Sequence, residues 1–217
     1  MTFHFEKEAL VASGIKEDDQ IADYVSKLAH LHEQSIREIK PSHDPLTRAK
    51  ALFDWLWMKK PDRYRSHGSY RLNEAIDSQL SGGSQVVGNC LGLTLLYNCL
   101  LRRAGIDAEA LYLETAFGRG PHVLTILREK ESVIDIENIL PDGFDYKGHL
   151  NDPSRTGWGD RELVADIHHG EGNEFYEKGD YMEALRSYER ALDLNPHYER
   201  AHLNRAIVLD RMGEVHR

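Results

Sequence analysis

Only two cysteines, Cys90 and Cys99, occur in the 217 residues. A chain with so few thiols has no disulfide framework, and a reducing, cytoplasmic setting is the expectation. Positive charge is also short. Lysine and arginine number 27 against 36 acidic residues, for a net charge of −9. The deficit is spread over the chain, with a net −4 from Ala165 onward and −5 before it. Neither part has the basic excess that tracks phosphates, so no nucleic-acid partner is expected. A binder of anionic membrane surfaces is disfavoured on the same ground.

Long apolar runs are absent too. The longest, Leu91 to Leu101, is 11 residues and is broken by Thr94 and Asn98, whereas a membrane span needs about 20. Residues 1–8 hold no basic stretch followed by an apolar one, so no secretion signal is expected. Gly82-Gly83-Ser84 has neither the G-x-G-x-x-G pattern nor a following Lys-Ser or Lys-Thr, and is no phosphate loop. His168-His169 are adjacent on a helix, where neighbours do not face one site, and a surface pair is expected. Neither a cofactor nor a metal is therefore anticipated.

What the chain does have is a change of pattern along its length. Through residue 60 the apolar residues recur at helical spacing: Ile21, Tyr24, Leu28 and Leu31, then Leu46, Ala49, Phe53 and Leu56. Asp44-Pro45 reads as an N-cap followed by proline at the first helical position. Residues 61–89 read as irregular. Cys90 to Ala104 reads as one buried helix, capped by Asn89, with Arg102-Arg103 and Gly105 at its end. Strands are expected at 108–115, 122–128 and 132–136, the last two joined by the charged turn Glu129-Lys130-Glu131 as an antiparallel hairpin. Helices first and consecutive strands after indicate an α+β fold. Residues 141–164, rich in Gly, Asp, Asn and Pro, read as a linker or connecting loop.

The C-terminal part repeats. Gly172, Phe175 and Gly179 recur 34 positions later as Ala206, Leu209 and Gly213. With Tyr181, Ala184, Tyr188, Ala191, Leu192 and Pro196 they resemble the tetratricopeptide (TPR) pattern of paired helices. The segment 165–217 is expected to hold one repeat plus one further helix near 199–212. That helix either caps the repeat or belongs to a longer array. A TPR segment implies a protein partner.

The chemistry-bearing residues lie between. Cys90 and Cys99 are about 13 Å apart along a helix, too far to pair. Cys99 reads as an inert core residue. Cys90 opens its helix, where free N–H groups and the positive end of the dipole favour a thiolate and an oxyanion. His122, after Gly120-Pro121, is placed to serve as its base. Asp135 on the partner strand is expected to lie opposite His122 or within two residues of it, and so to orient it. Glu137 on the same strand face is the next candidate for that role, and Asn138 the third.

The segment Gly88-Asn89-Cys90-Leu91-Gly92-Leu93-Thr94-Leu95-Leu96-Tyr97, with Leu100 and Arg103-Ala104-Gly105-Ile106, resembles the nucleophile segment of the transglutaminase-like superfamily. His122 and Asp135 match that family's histidine and aspartate in order and approximate spacing, over residues 40–140. The resemblance implies a papain-like core: N-terminal helices through residue 60, and a catalytic part over 61–140 whose cysteine-bearing helix packs on an antiparallel sheet. It implies a Cys90-His122-Asp135 triad acting through a thioester on a peptide or protein amide, with Gln85 as a side-chain oxyanion donor. Val123-Leu124-Thr125 after His122 and Ile136 after Asp135 differ from the family's usual aromatic and proline, which tells against crosslinking more than against the triad. The competing expectation is a non-catalytic interaction module, with a TPR segment on a degenerate core. A regulatory redox cysteine is a third, and it lacks a resolving thiol within reach.

Overall fold

The computed structural model describes residues 3–83, 85–129 and 132–215. The chain divides into two compact units, residues 1–159 and 160–217. The first is a mixed helical and antiparallel-sheet unit, and the second is all helix.

Unit 1 begins with α1 (Phe5–Ala12), α2 (Asp18–Glu38) and α3 (Pro45–Lys59). Asp44 caps α3 as its sequence suggests, accepting the Thr47 N–H at 2.7 Å with Pro45 at the first position. The stretch expected to be irregular contains a further helix, α4 (Leu72–Leu80), whose buried Leu72, Ala75, Ile76 and Gln79 follow helical spacing. It is short and flanked by loops on both sides, so its pattern is easily lost in a wider window. Helix α5 (Cys90–Arg103) is the centre of the unit: every residue from Leu91 to Leu101 is buried. It contacts α1, α2, α3 and α4 and also the sheet, which accounts for a helix apolar on nearly every side.

The sheet has four antiparallel strands in the order β3-β2-β1-β4: β1 (Glu109–Leu113), β2 (His122–Glu129), β3 (Ser132–Ile136) and β4 (Thr156–Trp158). Strand β4 falls within 141–164, the stretch read as a linker, and α6 starts at Asp160 inside it as well. A three-residue edge strand, Thr-Gly-Trp, is too short to show an alternating pattern. Trp158 is held by stacking on Tyr112, ring centroids 4.2 Å apart. Two residues of the expected turn, Lys130 and Glu131, lie outside the described residues, as does Ser84 of the glycine loop.

A buried polar network fixes α5 against the sheet. Thr125 donates to Asn98 Oδ1 at 2.7 Å. Asn138 donates to Thr125 at 2.9 Å and to Thr94 at 3.1 Å. Thr94 donates to the Val123 carbonyl at 3.3 Å and Asn98 to that of Glu109. Each group has a partner, which burial requires, so helix and strands cannot slide without leaving several polar atoms unpaired.

The N-terminal end of α5 is held by backbone contact. The Asn89 N–H donates to the Ser69 carbonyl at 2.9 Å. That oxygen lies 2.7 Å from where a Cβ on Gly88 would stand and 2.5 Å from one on Gly92. Both glycines of the Gly88-Asn89-Cys90-Leu91-Gly92 segment are thus required by the approach of one carbonyl.

Unit 2 consists of α6 (Asp160–Lys178), α7 (Tyr181–Leu194) and α8 (Glu199–Val215). Ala184, Tyr188 and Val208 form its core, with Phe175, Tyr181, Leu185 and Met212 packed around them. The α6–α7 crossing is close: a Cβ on Gly172 would meet the Tyr188 ring at 2.5 Å. This is the helix-pair packing that the repeat pattern implies.

Gly92→Ala should therefore destabilise unit 1 by about 1–3 kcal/mol, since the new methyl meets backbone and not a movable side chain. Gly82→Ala, with nothing within 4 Å of its Cβ, should change stability by less than about 0.5 kcal/mol. Urea unfolding followed by tryptophan fluorescence checks both, because Trp55, Trp57 and Trp158 all lie in unit 1.

Candidate active site

Cys90 sits at the first position of α5 and is partly exposed. The first-turn N–H groups of a helix have no carbonyl partner within it. Asn89 Oδ1 accepts that of Gly92 at 3.1 Å, which leaves those of Cys90 and Leu91 beside the thiol. Cys99, nine residues on, is wholly buried, and the two cysteines form no disulfide.

His122 opens β2 and is 5% exposed. It lines one cavity with Cys90, whose side chain acts to raise its pKa, and its Nε2 lies 2.9 Å from both Oε1 and Oε2 of Glu137. With Nε2 on the carboxylate, Nδ1 is the nitrogen left for the thiol. Glu137 has no exposure at all, and its Oε2 lies 3.0 Å from His149 Nε2. The structure thus joins His122, Glu137 and His149 in one hydrogen-bonded series beside Cys90.

Asp135, expected to orient His122, does not touch it. It forms a two-pronged ion pair with Arg155, Nη1 to Oδ2 at 2.6 Å and Nη2 to Oδ1 at 3.0 Å. The reason is register. Ile126 is the partner of Asp135 and Glu129 that of Ser132, a register that does not set Asp135 opposite the start of β2. Asp135 therefore stands four residues along β2 from His122, about 13 Å away along the strand. Glu137, on the same pleat face, is two residues nearer. Asn138, the third candidate, is committed to Thr94 and Thr125. Gln85 is exposed and lines a different groove, with Leu31, Trp55 and Gln79. It is not among the residues lining the cavity at Cys90.

His149 is the residue that sequence reading missed. It is delivered by the loop after β3, which curls back on that strand. Glu137 N–H donates to the Gly143 carbonyl at 2.8 Å, and Tyr146 N–H to that of Asp135 at 2.8 Å. A Cβ on Gly143 would collide with the Glu137 carbonyl. Arg155 Nη1 also donates to the His149 carbonyl at 3.0 Å, so Asp135 acts one step away, by holding the arginine that holds this loop. No spacing rule marks His149; the Gly143 turn is the only local signal.

The electrostatics favour a charged imidazole. Burial disfavours charge on His122, but its interactions with Cys90 and Glu137 outweigh it and raise its pKa to about 10. Burial pushes the Glu137 carboxyl up, and the bonds from His122 and His149 overcome that and hold it below its ordinary value. The donor atoms of His122, Glu137 and His149 lie within 4.8 Å of one another, near enough to share a cation. Their 2.9–3.0 Å spacings are those of direct hydrogen bonds.

A cavity of about 420 Å³ opens at Cys90 and His122. Phe117, on the loop before β2, turns its ring edge to both imidazoles, with centroids 5.6 Å from His122 and 5.0 Å from His149. Of the tryptophans, Trp55 lines the other groove and Trp158 lies in the sheet; none lines this cavity.

In unit 2, His169 is buried and not a surface residue. It contacts Tyr198 and lies 3.0 Å from Asn204 Nδ2, and burial lowers its pKa to about 4. Asn204 also donates to Asn173 at 2.9 Å. These bonds tie α6 to α8 and make the pair part of the helix packing.

Comparison with known proteins bears on unit 2. The TPR repeat family model matches residues 172–213, so this segment carries a TPR repeat. No curated protein and no solved structure matches the chain. No helix among the described residues is long and apolar enough to cross a membrane.

The His122–Glu137 couple makes stability depend on pH. His122 has a folded pKa of about 10 against an ordinary 6.5. Its contribution is complete below pH 6.5 and is lost as pH rises toward 10. Glu137, held below 4.5, contributes above that value and its share is lost as pH falls through its lowered pKa. Unit 1 should accordingly weaken on the alkaline side, and Glu137→Gln should flatten that decline. Urea midpoints by tryptophan fluorescence across the pH range provide the measurement.

Proposed function

We propose that unit 1 is a cysteine-dependent acyl-transfer enzyme of the transglutaminase-like, papain-like kind, with Glu137 and not Asp135 as the third member of its triad. The observation that carries this is the buried His122–Glu137 hydrogen bond beside Cys90, which stands at the first turn of a buried helix and on the wall of the same cavity as His122. A nucleophile, a base and a group that fixes the base are the parts such chemistry requires.

The steps follow from the geometry. With the imidazole already charged, Cys90 attacks as the thiolate, and Sγ forms a bond to the carbonyl carbon of an amide. The developing oxyanion is received by N–H groups at the start of α5. His122 gives its proton to the departing amine as the C–N bond breaks, leaving a thioester on Cys90. Water or a second amine then attacks the thioester, giving its proton to His122, and the C–S bond breaks to return the Cys90 thiolate beside the charged imidazole. Glu137 keeps the imidazole in one orientation and stabilises its charged form. The substrate class is a peptide or protein amide.

The TPR match at residues 172–213 favours a second reading, a protein-interaction module whose core serves only as a scaffold. The two readings separate on Cys90. Under the enzyme reading, iodoacetamide alkylates Cys90 at about pH 6, where a free thiol is almost wholly protonated. His122→Ala should slow that reaction by about 10²-fold or more, and Glu137→Gln by a smaller factor. Mass mapping of the Cys90 peptide, with Cys99→Ser as background, reads the result. A folded protein whose Cys90 reacts as an ordinary thiol whatever stands at 122 would leave the interaction module as the function.

A further inference from the structure

The cavity at Cys90 has one feature that the triad does not use. Its walls are largely apolar, formed by Ala116, Phe117, Pro121, Ile139 and Leu140. Among the described residues, the one charged side chain lining it besides His122 is Arg119, and no carboxylate lines it, in a chain whose net charge is −9. A lone cation in the cleft of an acidic protein is not explained by the general surface.

The placement of Arg119 is built into the backbone. Its loop is closed on itself: the Ala116 N–H donates to the Gly120 carbonyl at 2.9 Å, and the Arg119 N–H to that of Ala116 at 3.0 Å. Phe117, Gly118 and Gly120 have φ values of 53°, 67° and 120°. This left-handed course costs a phenylalanine free energy and presents both Phe117 and Arg119 to the cavity. The guanidinium makes no ion pair among the described residues. It also acts electrostatically on the Tyr64 hydroxyl, which burial and Cys90 push up and Arg119 pulls down. Tyr64 lines the same cavity, so the positive charge is felt inside the cleft.

We propose that the acyl donor of this site carries a carboxylate that Arg119 receives, with the apolar part of the donor lying against Phe117, Ile139 and Leu140. A single guanidinium suits a singly charged carboxylate, which it can bind through two parallel hydrogen bonds. A dianionic phosphate would call for further cations, and the cavity wall has none beyond His122. This inference rests on the acyl-transfer reading of Cys90.

Iodoacetate and iodoacetamide are the probes: both alkylate a thiolate, and they differ by one negative charge. The ratio of their rates at Cys90 cancels changes in the reactivity of the thiol itself. His122 also attracts the anion, so the comparison is between variants. The ratio should fall about threefold to tenfold in Arg119→Gln and further in Arg119→Glu, and persist in Arg119→Lys. It should fall with added salt in the unaltered protein. Arg119 is exposed, so these variants should fold, and far-UV circular dichroism confirms that. If Arg119→Gln leaves the ratio unchanged while iodoacetamide still alkylates Cys90 rapidly, the anion site is refuted and the thiol reading stands. If Cys90 is inert to both reagents, the thiol reading falls and this one with it.

Discussion

A carboxylate with no access to water has to be fully compensated, and Glu137 sets that condition for unit 1. Its compensation comes mainly from two imidazoles, His122 from the start of β2 and His149 from the loop beyond β3, with the Ile139 N–H on Oε1 at 3.4 Å. Removing either imidazole would leave the buried charge under-compensated, which costs more than the average hydrogen bond contributes. The loop that carries His149 is in turn fixed by Arg155, and Arg155 by Asp135. The second buried carboxylate of β3 therefore supports the placement of the first. Two acidic residues on one pleat face have divided the work: one keeps the histidine, the other keeps the loop.

The other side of the site depends on distance more than charge. Cys90 can meet His122 only if the end of α5 and the end of β2 hold a fixed separation. Two devices ensure it. The Ser69 carbonyl occupies the space that side chains at residues 88 and 92 would fill. The Thr94-Asn98-Thr125-Asn138 network locks helix to strand from within. Both are backbone-level or fully buried features, and both engage the first nine residues of α5 or the residues just before it. The arrangement is rigid where the chemistry would occur, which is the condition for a positioned nucleophile and base.

Unit 2 is organised differently. Its helices meet through small residues at crossings, Gly172 against Tyr188 above all, and through a buried polar set around His169, Asn173 and Asn204. The TPR match falls on this unit, and a TPR segment suggests a protein partner.

The sequence by itself determined the elements whose signals are local. Helix α5 and its Asn89 cap, the Asp44-Pro45 start of α3, the three main strands and the TPR helices all follow from spacing, capping and repeat over short windows. It also marked Cys90 and His122 as candidates, since both stand out by position alone. The third partner could not be settled locally. Asp135, Glu137 and Asn138 lie within four residues, and all three offer the chemistry to hold an imidazole. A shift of hairpin register moves each of them relative to His122 by several ångströms, and that register is set by the whole sheet. His149 was further out of reach, since it arrives on an irregular loop whose path depends on Gly143 and on an arginine 20 residues from its aspartate. Short elements such as α4 and β4 are likewise formed by the packing around them. Local rules name the candidates; long-range contacts, paired only once the chain has closed, decide which of them meet.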